Sequence, residues 1–239
     1  MLVYLASPTT QLHADCMAGQ PVLESFAIAA TKSWMDRYRP TFSHVMLDSG
    51  AYSEMTSGKP VDLGAYVAFC QAHAAGYDEI VNLDVISGDV GERVDAGQRN
   101  LQTMRDSGLD PMPVFHQGEP WSVLEDLAAC GRVGLGLQRP MRGVEAFLDE
   151  CFSRVGKARV HGFALANARW TKRYPFFSVD SATWVHEMNA LCSVKGQGAD
   201  VLACLTPAEL LRMVVKKYER LPRASAWAGP SNLALFEEP

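Results

Sequence analysis

The chain has 239 residues, 48% of them hydrophobic and 21% charged, the make-up of a soluble globular protein with room for one large core. Its formal net charge of -5 excludes a strongly basic coat, although a local basic groove stays compatible with it. No apolar run approaches the roughly 18 residues of a membrane span. Met1 to Ala6 lack a basic start, so they read as a first strand rather than a signal peptide and point to a cytoplasmic protein.

In chain order, Val3 to Ala6 is a short apolar strand that ends at Ser7 and Pro8. Pro21 to Tyr38 carries helical spacing, with Val22, Phe26, Ala29, Ala30 and Trp34 on one side, and Arg39-Pro40 stops it. His44 to Asp48 is a strand, followed by a loop from Ser53 to Pro60. Asp62 is the expected N-cap of a helix through Ala74, closed by Gly76. Glu79 to Val85 is the next strand; Ser87-Gly88 turns the chain into a helix from about Gly91 to Asp106. Strand Pro113 to Gly118, helix Trp121 to Ala129, strand Val133 to Leu137 and helix Val144 to Val155 follow. Strand Arg159 to Ala164 leads to a short basic helix, Ala166 to Tyr174, and to strand Phe176 to Asp180. Thr206 and Glu209 have the spacing of a capping box at the head of a last helix through Arg220. From about Pro222 the chain is rich in Pro, Gly, Ser and Ala and reads as irregular.

Seven strands are legible, six of them leading into helical stretches, which means parallel strands joined by crossover helices. No glycine-rich phosphate fingerprint follows the first strand, so a dinucleotide-binding doubly wound sheet is disfavoured. Polar residues finish several successive strands, the pattern of a (β/α)8 barrel whose site forms where its strands end. Asp200 to Cys204 is the candidate for the eighth strand. With no repeat and no linker, residues 1–239 read as a single barrel domain.

Asp48, Asp84 and Asp180 stand at strand ends of one kind, each after an apolar run. Burial raises a carboxyl's pKa and a neighbouring carboxylate pushes the two apart, leaving one as acid and the other as base or nucleophile. Paired carboxylates are also the usual means of breaking a glycosidic bond. The plainer alternative is that each Asp caps the following turn or helix. His116, Gln117 and Gly118 offer an imidazole, an amide able to read the edge of a heterocycle, and backbone access, unless His116 is a satisfied core residue. Gly134 and Gly136 leave space on one strand face for something flat, or else allow tight barrel packing. Tyr52, Trp170 and Trp184 either stack on a base or belong to the core. Arg169, Lys172 and Arg173 form one basic cluster, and Arg212, Lys216, Lys217, Arg220 and Arg223 another; each is a solvated face or, beside the barrel mouth, a phosphate contact. The six cysteines, Cys16, Cys70, Cys130, Cys151, Cys192 and Cys204, show no close pairing and read as free thiols with no metal site.

The strand endings Leu47-Asp48-Ser49-Gly50-Ala51-Tyr52, Val81-Asn82-Leu83-Asp84, Val114-Phe115-His116-Gln117-Gly118, Gly134-Leu135-Gly136-Leu137, Val160-His161-Gly162-Phe163 and Ser178-Val179-Asp180-Ser181 come in an order that resembles the tRNA-guanine transglycosylase superfamily. They are most similar to its short phage and bacterial branch, which inserts 7-deazaguanine bases into DNA. The likeness runs from about Tyr4 to Trp184. It implies a (β/α)8 barrel and base exchange through a covalent aspartyl-nucleotide intermediate, with Asp180 as nucleophile and Asp48 as general acid/base. By the same resemblance Asp84 would accept hydrogen bonds from guanine, while Ser49, Gly50, His116, Gln117, Gly118, Gly134 and Gly136 would help bind the base. Arg169, Lys172 and Arg173 would meet the nucleic acid. The implied partners are guanine-containing DNA and a free 7-deazaguanine base, with no cofactor and no membrane. The chain lacks the clustered cysteine-and-histidine zinc site and the separate RNA-binding domain of the tRNA enzymes, which favours DNA over tRNA. A homodimer or a partner subunit would be the source of any further binding surface, and a non-catalytic nucleic-acid-binding subunit is the reading from another class.

Overall fold

The computed structural model describes residues 1–51, 60–137, 142–196, 205–227 and 229. Eight strands make one sheet: β1 (Leu2–Ala6), β2 (Pro21–Ser25), β3 (His44–Asp48), β4 (Glu79–Ile80), β5 (Val114–His116), β6 (Arg132–Gly136), β7 (Arg159–Gly162) and β8 (Ser178–Ser181). Their order is β4-β3-β2-β1-β8-β7-β6-β5, and every pairing is parallel. The two ends of that row meet. Val81 and Met112 form a parallel bridge, with the Met112 N–H donating to the Ile80 carbonyl at 2.8 Å and the Asn82 N–H to the Met112 carbonyl at 2.9 Å. The sheet is therefore closed into a (β/α)8 barrel, which removes its edges.

The expected helix over 21–38 is a correction. Pro21–Ser25 is a strand lying between β1 and β3, followed by a four-residue helix, Phe26–Ala29, and two 3-10 turns, Ser33–Arg37 and Arg39–Thr41. A parallel barrel strand is buried on both faces, so it shows no alternation to distinguish it from a helix. Here the disguise is completed by Glu24, wholly buried in mid-strand. Its carboxylate is held at 3.0 Å by Arg39 and at 2.9 Å by the Tyr77 hydroxyl, partners far off in sequence. The candidate strand 200–204 lies outside the described residues, and the barrel has its eight strands without it. Several strands are also shorter than their apolar runs: the ladder leaves at Ile80, His116 and Gly162, and the polar ends of those runs become mouth loops.

Strand periodicity decides which side chains enter the barrel. Tyr4, Ala6, Leu23, Met46, Val81, Met112 and Val114 form an interior cluster, while Val3, Leu5, Val22, Val45 and Leu135 pack outward. Inward positions continue this alternation to Ser25, Asp48, His116, Gly136 and Asp180. The outer layer includes helices α1 (Gln11–Cys16), α2 (Phe26–Ala29), α3 (Leu63–His73), α4 (Val90–Asp106), α5 (Trp121–Ala128), α6 (Val144–Arg154), α7 (Ala168–Arg173), α8 (Thr183–Gly196) and α9 (Pro207–Glu219). The capping box at Thr206 and Glu209 is present, and Asp62 caps α3 as expected. α8 is not announced by its sequence, because its apolar residues spread around the helix rather than lining one stripe. No helix among the described residues is long and apolar enough to cross a membrane.

Candidate active site

A cavity of about 270 Å³ opens at the carboxyl ends of the strands, with Asp48, Asp84, Asp180, His116, Ser25, Leu23 and Phe163 among its lining residues. Three acids from β3, the β4 loop and β8 thus meet in one mouth, although they stand 36 and 96 positions apart along the chain (84 less 48, 180 less 84). Two non-glycine residues among those described have positive φ, Ser7 (φ 61) and Ala164 (φ 57), and both line this cavity. Backbone strain of that kind costs about 1–3 kcal/mol per residue and gathers at functional sites.

Each acid has a different setting. Asp48 accepts the Gly50 N–H at 3.1 Å, a contact made by the turn that Gly50 forms at φ +86. Burial first, then the charges of Asp84 and Asp180, push its carboxyl up to about 7, against the lowering effect of backbone N–H groups of Gly50 and Ser49. Asp84 is clamped. Ser49 donates to its Oδ1 at 3.1 Å, and His116 Nε2 lies 2.8 Å from its Oδ2. Asp180 is 7% exposed; its Oδ1 accepts the Ala164 N–H at 2.9 Å, with His161 Nε2 at 3.4 Å. His161 is itself buried and shares a 2.9 Å hydrogen bond between Nδ1 and the Ser178 hydroxyl.

His116 is held from both sides, by Asp84 at Nε2 and by Glu119 Oε1 at 3.2 Å from Nδ1. Burial works to lower its pKa, but hydrogen bonds to Asp84 and Glu119 and their charges outweigh it and raise the ring to about 9. At neutral pH the ring is an imidazolium between two carboxylates. Burial alone would have made it neutral.

The remaining sequence-expected residues divide. Ser49 and Gly136 join the site, Ser49 through Asp84 and Gly136 as a lining residue. The space beside Gly134 and Gly136 is already taken: a Cβ at Gly134 would lie 2.6 Å from the Phe163 ring, and one at Gly136 2.5 Å from His116 Cδ2. Tight barrel packing is the reason for both glycines. Gln117 alternates to the other side of β5 from His116, and its amide donates to the Arg142 carbonyl at 2.7 Å. Gly118 is exposed, in a turn at φ +95. Trp184 is fully buried, donating to the Ala6 carbonyl at 2.9 Å, and Trp170 is also core; Tyr52 lies outside the described residues. Arg169 pairs with Glu145 at 3.0 Å, and Arg173 with Asp149 at 2.7 Å, both acids of α6; Lys172 is exposed. In the second basic cluster Lys217 pairs with Glu187 at 2.8 Å.

Sequence reading missed Glu119, Ser25 and the strained pair Ser7 and Ala164. Ser25 was hidden with β2. Its hydroxyl is buried, lines the cavity and has no hydrogen-bond partner. Glu119 did leave a signal, a glycine between a histidine and an acid three residues on, the spacing of a tight turn. Among the described residues no three His, Cys, Asp or Glu side chains are placed to hold a metal ion, and the described cysteines are free thiols.

No family model matches the chain, and no curated protein does. Solved structures do. A protein from Coccidioides immitis assigned as a fructose-1,6-bisphosphate aldolase superposes with a TM-score of 0.53 at 13% identity, over 90% of this chain and 87% of that one. The YdjI aldolase from Escherichia coli K12 gives 0.52 at 6% identity, over 91% and 87%. A variant of the tryptophan synthase α-subunit from Pyrococcus furiosus gives 0.50 at 13% identity, over 92% and 96%. What is shared is the fold. All three are (β/α)8 enzymes or their subunits, and at such identity the likeness carries no chemistry to this site.

Proposed function

We propose that this protein is an enzyme, a guanine transglycosylase that exchanges guanine in DNA for a 7-deazaguanine base through a covalent aspartyl-nucleotide. The observation that carries the reading is the division of labour among three convergent acids: Asp48 is pushed up to about 7, Asp84 is clamped by two donors, and Asp180 accepts one backbone N–H with His161 beside it at 3.4 Å. At about 270 Å³ the cavity falls just below the roughly 300–1,000 Å³ usual for small-molecule sites, which suits one flipped-out nucleotide rather than a length of polymer.

In this reading a carboxylate oxygen of Asp180 attacks C1′ of the nucleotide and the bond from C1′ to the base nitrogen breaks. Asp48, still carrying its proton near neutral pH, hands it to the departing guanine. An incoming deazaguanine then returns a proton to Asp48 as its ring nitrogen attacks C1′, and Asp180 leaves. Two inversions at C1′ leave the strand unbroken. Asp84 accepts hydrogen bonds from the base edge, fixed in plane by Ser49 and His116. No lysine is among the described residues lining the cavity.

The test is release of labelled guanine from DNA in the presence of a free deazaguanine, run with the native protein and with Asp180→Ala. Exchange by the native chain and none by a folded Asp180→Ala supports the assignment; normal turnover by the variant ends it. The same assay on tRNA separates the two polymers. Failure to trap any protein–nucleic acid adduct would favour a non-catalytic binding subunit.

A further inference from the structure

His116 to Pro120 forms a short hook at the end of β5. The Glu119 N–H donates to the His116 carbonyl at 3.1 Å, and Gly118 sits at φ +95, a conformation that other residues adopt only with strain. Pro120 then starts α5. The hook turns the Glu119 side chain back on the residue three places earlier. Its Oε2 accepts the His116 backbone N–H at 3.1 Å and its Oε1 lies 3.2 Å from ring Nδ1, so one carboxylate grips both backbone and ring. Glu119 is 8% exposed and His116 5%. A buried carboxylate is costly unless it is paired, and His116 supplies the pairing charge.

We propose that Glu119 is a positioning residue of this site: through the hook it pins the His116 ring against Asp84, so that Asp84 is presented to the substrate as a fixed acceptor. The geometry has a direct consequence for selectivity. With a carboxylate at each ring nitrogen, the ring satisfies both only as an imidazolium, Nδ1–H donating to Glu119 and Nε2–H to Asp84. The Ser49 hydroxyl donates to the other oxygen. Both Asp84 oxygens therefore already accept a protein donor, and their remaining lone pairs select a base edge that carries two donors. A ring lacking the Glu119 contact could flip, or present Nε2 as an acceptor, and Asp84 would then lose one of the two donors that fix it against the base edge. This selectivity rests on the proposed base-binding role of the cavity; the pinning of His116 does not.

The groups facing His116 are Asp84 from the β4 loop and Glu119 from its own turn. Across a small chamber stands Arg93 of α4, whose Nε and Nη2 are buried without hydrogen-bond partners. Asp48 and Asp180 line the cavity on the substrate side.

The experiment is nitrogen NMR of the histidine rings, with His116→Gln to assign the signal, followed over pH in the native chain and in Glu119→Gln. Native His116 is expected to carry protons on both ring nitrogens at pH 7, and its titration midpoint is expected to fall by about 1–3 units in Glu119→Gln. A singly protonated native ring at pH 7, or an unmoved midpoint in the folded variant, overturns the proposal. The native measurement decides even if the variant does not fold. In parallel, free guanine and hypoxanthine, which lacks the exocyclic amine, are titrated into both proteins. Guanine is expected to bind about tenfold more weakly to Glu119→Gln, with the preference over hypoxanthine reduced. A role in stability alone would move the melting temperature and neither the midpoint nor the preference. No guanine binding by the native protein would end the transglycosylase reading while leaving the ring titration to judge Glu119.

Discussion

Replacing Asp48 by asparagine removes the carboxyl that the fold makes hardest to ionise while keeping its shape. In the unfolded chain this group titrates at 3.8, and in the barrel at about 7. At about 1.4 kcal/mol per pH unit, that difference is worth ~4 kcal/mol as an upper limit, and water entering the cavity mouth reduces it to about 2–3 kcal/mol. The sign follows from where the proton sits. Between pH 3.8 and about 7 the folded protein keeps a proton that the unfolded chain has lost, so stability falls as pH rises through this window. The contribution is full below the lower value and gone above the upper one. Asp48→Asn escapes that loss. Its urea midpoint should match the native one at about pH 4 and exceed it increasingly up to about pH 7, after which the gap stays constant. At pH 8 the melting temperature should be higher by roughly 4–12 °C. Exchange activity should fall by about 10²–10⁴-fold, since no proton reaches the leaving base. A gap independent of pH, or a variant less stable at pH 8, would refute the electrostatic account of this site.

Gly136→Ala places a methyl 2.5 Å from His116 Cδ2 and should cost about 1–3 kcal/mol in thermal denaturation, with base binding lost as the ring is displaced from Asp84. Arg39→Met strips the buried Glu24 of its charged partner and should cost about 3–5 kcal/mol by urea denaturation; adding Glu24→Gln to the same chain should recover part of that loss.

Much of the scaffold was legible because a barrel repeats its grammar. Apolar runs that end in polar residues, each followed by a helix, are local patterns, and Asp48, Asp84 and Asp180 were found from them. β2 was not, because a strand buried on both faces looks like a short piece of helix, and the charge in its middle makes sense only beside Arg39 and Tyr77. The glycines of β6 were visible, but what fills the space they leave was not, since Phe163 and His116 come from other strands. The basic residues of α7 stood out by charge, while Arg169 and Arg173 are balanced by acids of α6 some two dozen residues earlier.

The sequence by itself determined that three acids follow apolar runs in a parallel α/β chain. It left open whether His116 serves the site or is a satisfied core residue, because a period of two gives alternation along a strand but not which face looks into the barrel. Only the tertiary structure decided that Asp48 is the acid whose carboxyl is pushed up, to about 7. Ionisation depends on burial and on charges a few ångströms away, and those neighbours are brought together by closure of the barrel rather than by any spacing along the chain.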